Sequence, residues 1–180
     1  MADDRDIKIY VKKSDEESSE FEALSEDIRR HISNGNKEKA TELGSKMAKL
    51  RPEDGTLDIN ASKFSAAELY QIRVLLTFVA EYAVRGNITD KFLADTVSSA
   101  MYDYLKNNER GYYDNISDGG AFTFYLLALS KDGDTAKNIG EQFAKRCSIN
   151  NAEVEALGAK IFSEAEKLFT EMINNTEFEK

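Results

Sequence analysis

A chain of 180 residues, 41% apolar and 32% charged, is long enough to bury the core of one soluble domain. Its net charge of −9 is spread along the chain and excludes sequence-independent binding to nucleic acid or anionic lipid, which needs a basic face. The lone Cys147 excludes an intramolecular disulfide, the charged start MADDRDIKIY lacks an apolar signal core, and the most apolar run, Leu69 to Val84, carries Arg73 and Glu81 and is too short for a bilayer, so a cytoplasmic location is expected.

In chain order, Ile7, Ile9 and Val11 alternate with polar residues, the period of a short strand, and Leu57, Ile59 and Ala61 do the same. The two are predicted to pair as a small ribbon. Residues 1–13 then form an N-terminal arm, and residues 14–180 one helical domain. Ser14 or Asp15 caps a first helix with Phe21, Leu24, Ile28 and Ile32 on one face. Gly35-Asn36 breaks it, and a second helix runs to Leu50, where Arg51-Pro52 stops it. A third is predicted over 64–85, capped by Ser62 or Ser65, and a fourth over 89–106. After a polar segment come helices over 121–130, 134–147 and 151–174, which makes seven.

Two of these are predicted to anchor the core. In the third helix the polar residues Arg73, Thr77, Glu81 and Arg85 form one stripe at four-residue spacing, and the rest of the surface is apolar, so several neighbours must cover it. The stretch AFTFYLLAL is short and nearly all apolar, and it is expected to be buried as well.

A weak internal pattern runs through the other helices. ATELGSKMAK and AKNIGEQFAK share Ala-x-x-aliphatic-Gly-x-x-apolar-Ala-Lys, and ADTVSSAMY and VEALGAKIF carry partial copies. Gly inside a helix costs about 1 kcal/mol relative to Ala, so Gly44 and Gly140 are expected where another helix approaches closely. Stacked helical hairpins are the expected architecture of a mainly α fold. The stretch GNKEKATELGSKMAKLRP resembles the second helix of a tetratricopeptide repeat in its Gly-Asn start, Ala40 and Pro52. Gly44 replaces the bulky residue expected there and the preceding helix lacks the family's Trp/Leu-Gly pattern, so the likeness reads as convergent.

The chemistry is narrowed by what the chain lacks. His31 is the only histidine and reads as a surface or boundary residue, and no Gly-x-Ser-x-Gly elbow accompanies it. One His and one Cys do not make a zinc site, and neither phosphate-binding glycine motif occurs. EESSE, Glu16 to Glu20, matches the Glu-Glu-x-x-Glu of the all-α nucleotide pyrophosphohydrolases, but no Glu-x-x-Asp follows on the next helix; it reads as an acidic first turn that favours the helix dipole. No cofactor and no metal is expected.

The polar segment RGYYDNISDGGAF admits several readings. An EF-hand loop from Asp114 would need carboxylates where Ile116 and Tyr125 stand. A looser calcium site on Asp114, Ser117 and Asp118, or an anion at the bare amides of Gly119 and Gly120, stays open. Five of the eight tyrosines lie in or beside the segment. Tyr102, Tyr104, Tyr112 and Tyr113, with Asp114 and Asp118, are therefore the candidate binding surface, set against a loop that packs its own tyrosines on the core. The functional expectation is a non-enzymatic protein–protein interaction module with an unidentified protein partner. The alternatives are a small enzyme using carboxylates and Mg²⁺, and a structural homo-oligomer.

Overall fold

The computed structural model describes residues 15–118, 120–149 and 151–179, with side chains from residue 22 onward. Eight α-helices follow one another in it: α1 Asp15–Ser33, α2 Asn36–Lys49, α3 Ala66–Asn87, α4 Lys91–Asn108, α5 Arg110–Ile116, α6 Gly120–Leu129, α7 Thr135–Arg146 and α8 Ala152–Asn174. Single 3-10 turns at Pro52–Asp54 and Ala61–Lys63 lie between α2 and α3. The fold is mainly α, as the periodicity predicts, with one helix more than expected: α5 is cut from the segment read as a loop.

Local chemistry explains most boundaries. Ser65 and Glu68 form a capping box at the start of α3: Oγ of Ser65 accepts from the Glu68 amide and the Ser65 amide donates to Oε2 of Glu68. Asp90, Asp134 and Asn151 each accept the amide three residues on, at the starts of α4, α7 and α8. Gly35, at φ 79°, turns the chain from α1 into α2 in a conformation that side chains disfavour.

The predicted ribbon does not form between described residues. Its first strand, Ile7 to Val11, lies outside them. Its second, Leu57 to Ala61, is irregular backbone: Leu57 is buried, its carbonyl accepts from the Ile59 amide, and Asn60 caps the following 3-10 turn. One buried anchor and an Asx cap hold this segment in place of a ladder. Its outer edge is tied to α8, where Nζ of Lys160 donates to the carbonyl and carboxylate of Asp58.

At the centre lies α3, with Ile72, Val74, Leu75, Val79 and Val84 at 0% exposure. Around it α2 packs on α4 and α7 on α8, while α3 lies against α8. The helices carrying the Gly pattern thus pack on one another in pairs. A Cβ on Gly44 would enter the Val97 carbonyl oxygen of α4, and one on Gly140 would enter the Glu155 carbonyl oxygen of α8, so both glycines sit where backbones touch, as predicted. Among the described residues no helix is long and apolar enough to cross a membrane.

The end of the chain is fastened by polar contacts that local reading misses. His31 is 4% exposed, not a surface residue. Its Nε2 lies 2.9 Å from Oδ2 of Asp90, and its Nδ1 3.1 Å from Nδ2 of the Asn36 side chain. Asn36 also donates to the Glu179 carbonyl and accepts the Glu179 amide, which fixes its side-chain orientation. Nδ1 of His31 is therefore the acceptor and Nε2–H the donor to Asp90. Burial pushes the Asp90 carboxyl up, but the Leu93 amide and His31 outweigh it and hold the group below the usual carboxylate range. A depressed carboxyl contributes stability at neutral pH that is lost as pH falls through its folded value. Asn36→Ala strips partners from His31 and from both backbone groups of Glu179. It is expected to cost about 1–3 kcal/mol in urea unfolding and to release the C-terminal segment to limited proteolysis.

Candidate functional site

The polar stripe of α3 organises the region in which the candidate residues fall. None of its four side chains is simply solvated. Arg73 meets the Glu109 carboxylate, which also pairs with Arg51, so one acid at the α4–α5 junction bridges two arginines. Tyr112 of α5 lies beneath Arg73, with the guanidinium carbon 3.9 Å from the ring centroid. One turn on, the Thr77 and Tyr112 hydroxyls share a hydrogen bond at 2.7 Å, and both lie within reach of the Arg73 carbonyl, which accepts from the hydroxyl that does not donate within the pair. Burial pushes the Tyr112 phenol up to about 12, against the lowering effect of Thr77 and Arg73. These contacts, with buried Ile116, hold a seven-residue helix too short to persist by propensity alone.

Further along the stripe, α3, α4 and α5 part to leave an open cleft of about 740 Å³. Glu81 and Arg85 enter it from α3, Asp95, Ser98 and Tyr102 from α4, and Tyr113 from α5. Nε of Arg85 donates to Oε1 of Glu81 at 2.9 Å, and Nη1 to Oδ1 of Asp95 at 2.5 Å. Oε2 of Glu81 and Oγ of Ser98 are buried and have no hydrogen-bond partner. Burial, and then the nearby Glu81 charge, raises the Tyr102 phenol well above its ordinary value.

The six candidate residues do not form one surface. Tyr102 and Tyr113 share the cleft. Tyr104, two positions from Tyr102, points to the other side of α4, where Lys49 lies 5.4 Å from its ring centroid. Tyr112 is a packing residue, 8% exposed. Asp114 is exposed and pairs with Arg110 one turn earlier at 3.5 Å. Asp118 accepts the Gly120 amide at the start of α6. The backbone of 110–116 is helical, not a surface loop, because Tyr112 and Ile116 are buried against the body.

A second feature falls where the sequence pointed to core. α6 buries Ala121, Phe122, Tyr125 and Ala128, but Phe124, Leu126 and Leu127 are 51–57% exposed. A helix apolar all round offers no period from which to read its covered face. Beside Phe124, the last turn of α7 places Lys145 and Arg146, with the Arg146 guanidinium 6.0 Å from the Phe124 ring centroid and its Nε bonded to Gln71.

Among the described residues no group of three or more His, Cys, Asp or Glu side chains is placed to hold a metal ion. Cys147 is half-buried, and burial pushes its thiol up to about 11. Both ring nitrogens of His31 are engaged by Asp90 and Asn36. No protein-family model, curated protein or solved structure matches the chain.

Proposed function

We propose that the chain is a non-enzymatic protein–protein interaction module, that its contact surface is the outer face of α6, and that this face receives α1 of a second copy. The observation that supports the reading is the exposure of Phe124, Leu126 and Leu127 on one short helix. Scattered apolar residues are ordinary on a surface, but Phe124 and Leu127, three positions apart, share one face of α6, with Leu126 at its flank, and make a patch of the kind that marks an interface.

Charge selects the occupant. The patch is bordered by Lys145 and Arg146, so it favours an acidic amphipathic helix. The sequence of α1 is one: it carries Asp15, Glu16, Glu17, Glu20, Glu22, Glu26 and Asp27, and Leu24, Ile28 and Ile32 recur at four-residue spacing. Leu24 and Ile32 are 56% and 46% exposed, so this stripe is largely uncovered within one chain. A molecule with one such helix and one such face pairs reciprocally with its copy and closes as a two-fold dimer. Burying each large apolar side chain contributes roughly 1.5–3 kcal/mol before the costs of association.

Sedimentation velocity over a concentration series tests it. The wild-type chain is expected to dimerise. Leu127→Glu and Leu24→Glu are each expected to be monomeric with unchanged circular dichroism. Mixing the two variants restores a heterodimer through the one contact left intact. A wild-type chain that stays monomeric, or a dimer indifferent to both substitutions, overturns the reading.

A further inference from the structure

The cleft between α3, α4 and α5 has no part in the α6 contact, and its inner end carries polar atoms that the protein itself leaves unmatched. Ser98 is 5% exposed and its hydroxyl has no partner. An unmade hydrogen bond on a buried hydroxyl costs its full desolvation, and on a buried charged oxygen more. The cleft holds two such atoms, because Oε2 of Glu81 is in the same condition.

They belong to one level of the helical hairpin. α3 and α4 run antiparallel, and the Arg85–Asp95 pair sets their register. One turn back along α3 is Glu81, and one turn forward along α4 are Ser98 and Ser99. Both unmatched oxygens therefore belong to residues that line the same cleft, one on each of its two longer helices. The next turn of α4 supplies Tyr102, whose phenol responds to the Glu81 charge.

The charges decide what could satisfy them. Arg85 is already shared between Glu81 and Asp95, and Asp103 adds a third acid to the lining. Three carboxylates face one guanidinium, so the cleft favours a cation and disfavours phosphate or carboxylate ligands. Glu81 Oε2 accepts only and Ser98 Oγ can accept, so a group with several N–H donors answers both. The aromatic walls, Tyr102, Tyr113 and Phe122, suit the alkyl body of such a molecule and the cation itself.

From this geometry we infer that the α3–α4–α5 cleft is a binding site for a small organic cation with a primary ammonium or guanidinium head. The head donates to Oε2 of Glu81 and Oγ of Ser98, and the body lies between Tyr102 and Tyr113.

Calorimetric titration of the full chain with putrescine and with agmatine tests the site, with inorganic phosphate as the anionic control. One-site binding of the amines and none of phosphate is expected. Glu81→Gln weakens binding about ten- to a hundredfold, the loss that follows removal of a charge-assisted hydrogen bond, and Ser98→Ala weakens it by a smaller factor. Glu153→Gln makes the same charge change at the exposed start of α8 and leaves binding unchanged. Amide shifts of the wild-type chain should concentrate on 81–85, 95–103 and 113–117, which keeps the test decisive should Glu81→Gln fail to fold. No binding of either amine, equal weakening by Glu153→Gln, or amide shifts centred elsewhere overturns the site.

Discussion

Gly140→Leu and Gly44→Leu are expected to be among the most destabilising single substitutions in this chain. Gly140 lies against the backbone of α8: an added Cβ would enter the Glu155 carbonyl oxygen and stand 3.0 Å from the Ala159 amide nitrogen. Gly44 meets the Val97 carbonyl oxygen and the Met101 amide nitrogen of α4 in the same way. Backbone cannot rotate aside as a side chain can, so each substitution must push two helices apart. Overpacking usually costs about 1–3 kcal/mol, and these sites belong at the upper end of that range or beyond it. Even Gly140→Ala should be costly. At Gly158 an added Cβ would stand 2.7 Å from Cβ of the buried Phe143, a less severe approach than that at Gly140 but one that still forces α7 and α8 to adjust. At Gly86, inside α3, nothing lies within 4 Å of an added Cβ, and Ala there should be neutral or gain up to about 1 kcal/mol from helix propensity. Urea unfolding of Gly140→Ala, Gly158→Ala and Gly86→Ala should rank them in that order of loss. If Gly140→Ala and Gly86→Ala have equal midpoints, the close approach of α7 and α8 is refuted.

Glu109→Ala should produce the second large loss. One carboxylate joins Arg51, at the start of the α2–α3 connection, to Arg73 of α3, and its own backbone carbonyl accepts from the amides of Tyr112 and Tyr113 at the start of α5. The three side chains are 16–25% exposed. Removing one partner of a fully buried pair costs about 3–5 kcal/mol, and partial solvation here reduces that to roughly 2–3 kcal/mol. The loss is mostly the cost of leaving Arg73 charged and under-paired against Tyr112, since Arg51 keeps its bonds to the carbonyls of Ala48 and Leu50. Arg73→Met in the Glu109→Ala background should therefore recover part of the stability. A double variant whose loss equals the sum of the two single losses would show that the acid does not act through Arg73.

Gly44, Gly140 and Arg73 stood out in the sequence before their partners were visible; Glu109 did not. The stripe Arg73, Thr77, Glu81 and Arg85 was legible from its four-residue spacing, and so was the burial of the rest of α3. What covers the stripe was not, because α5 is too short to show a period and contains Gly111. It is helical because Tyr112 and Ile116 find cover on α3 and α4, a gain that exists only once those helices are assembled. The candidate tyrosines met the opposite fate. They cluster in sequence, but on helices each residue advances about 100°, so Tyr102 and Tyr104 part to opposite sides of α4 and Tyr112 turns inward while Tyr113 turns to the cleft. Clustering in sequence within helices is not clustering in space.

The sequence by itself determined seven of the eight helices, the Ser65 cap of α3, and the small-residue faces where Gly44 and Gly140 sit. Each of these depends on interactions within a turn or two: periodicity, a side-chain oxygen three residues before an amide, a missing Cβ. Tertiary structure alone decided which helices pair, which face of α6 stays open, and why His31 is buried. It also left Glu81 and Ser98 unmatched in one cleft. The physical reason is range. The partner of Asn36 is the backbone of Glu179, and the cover of the α3 stripe comes from α4 and α5, so whether such a group ends buried, paired or exposed is settled by chain segments that no local pattern can report.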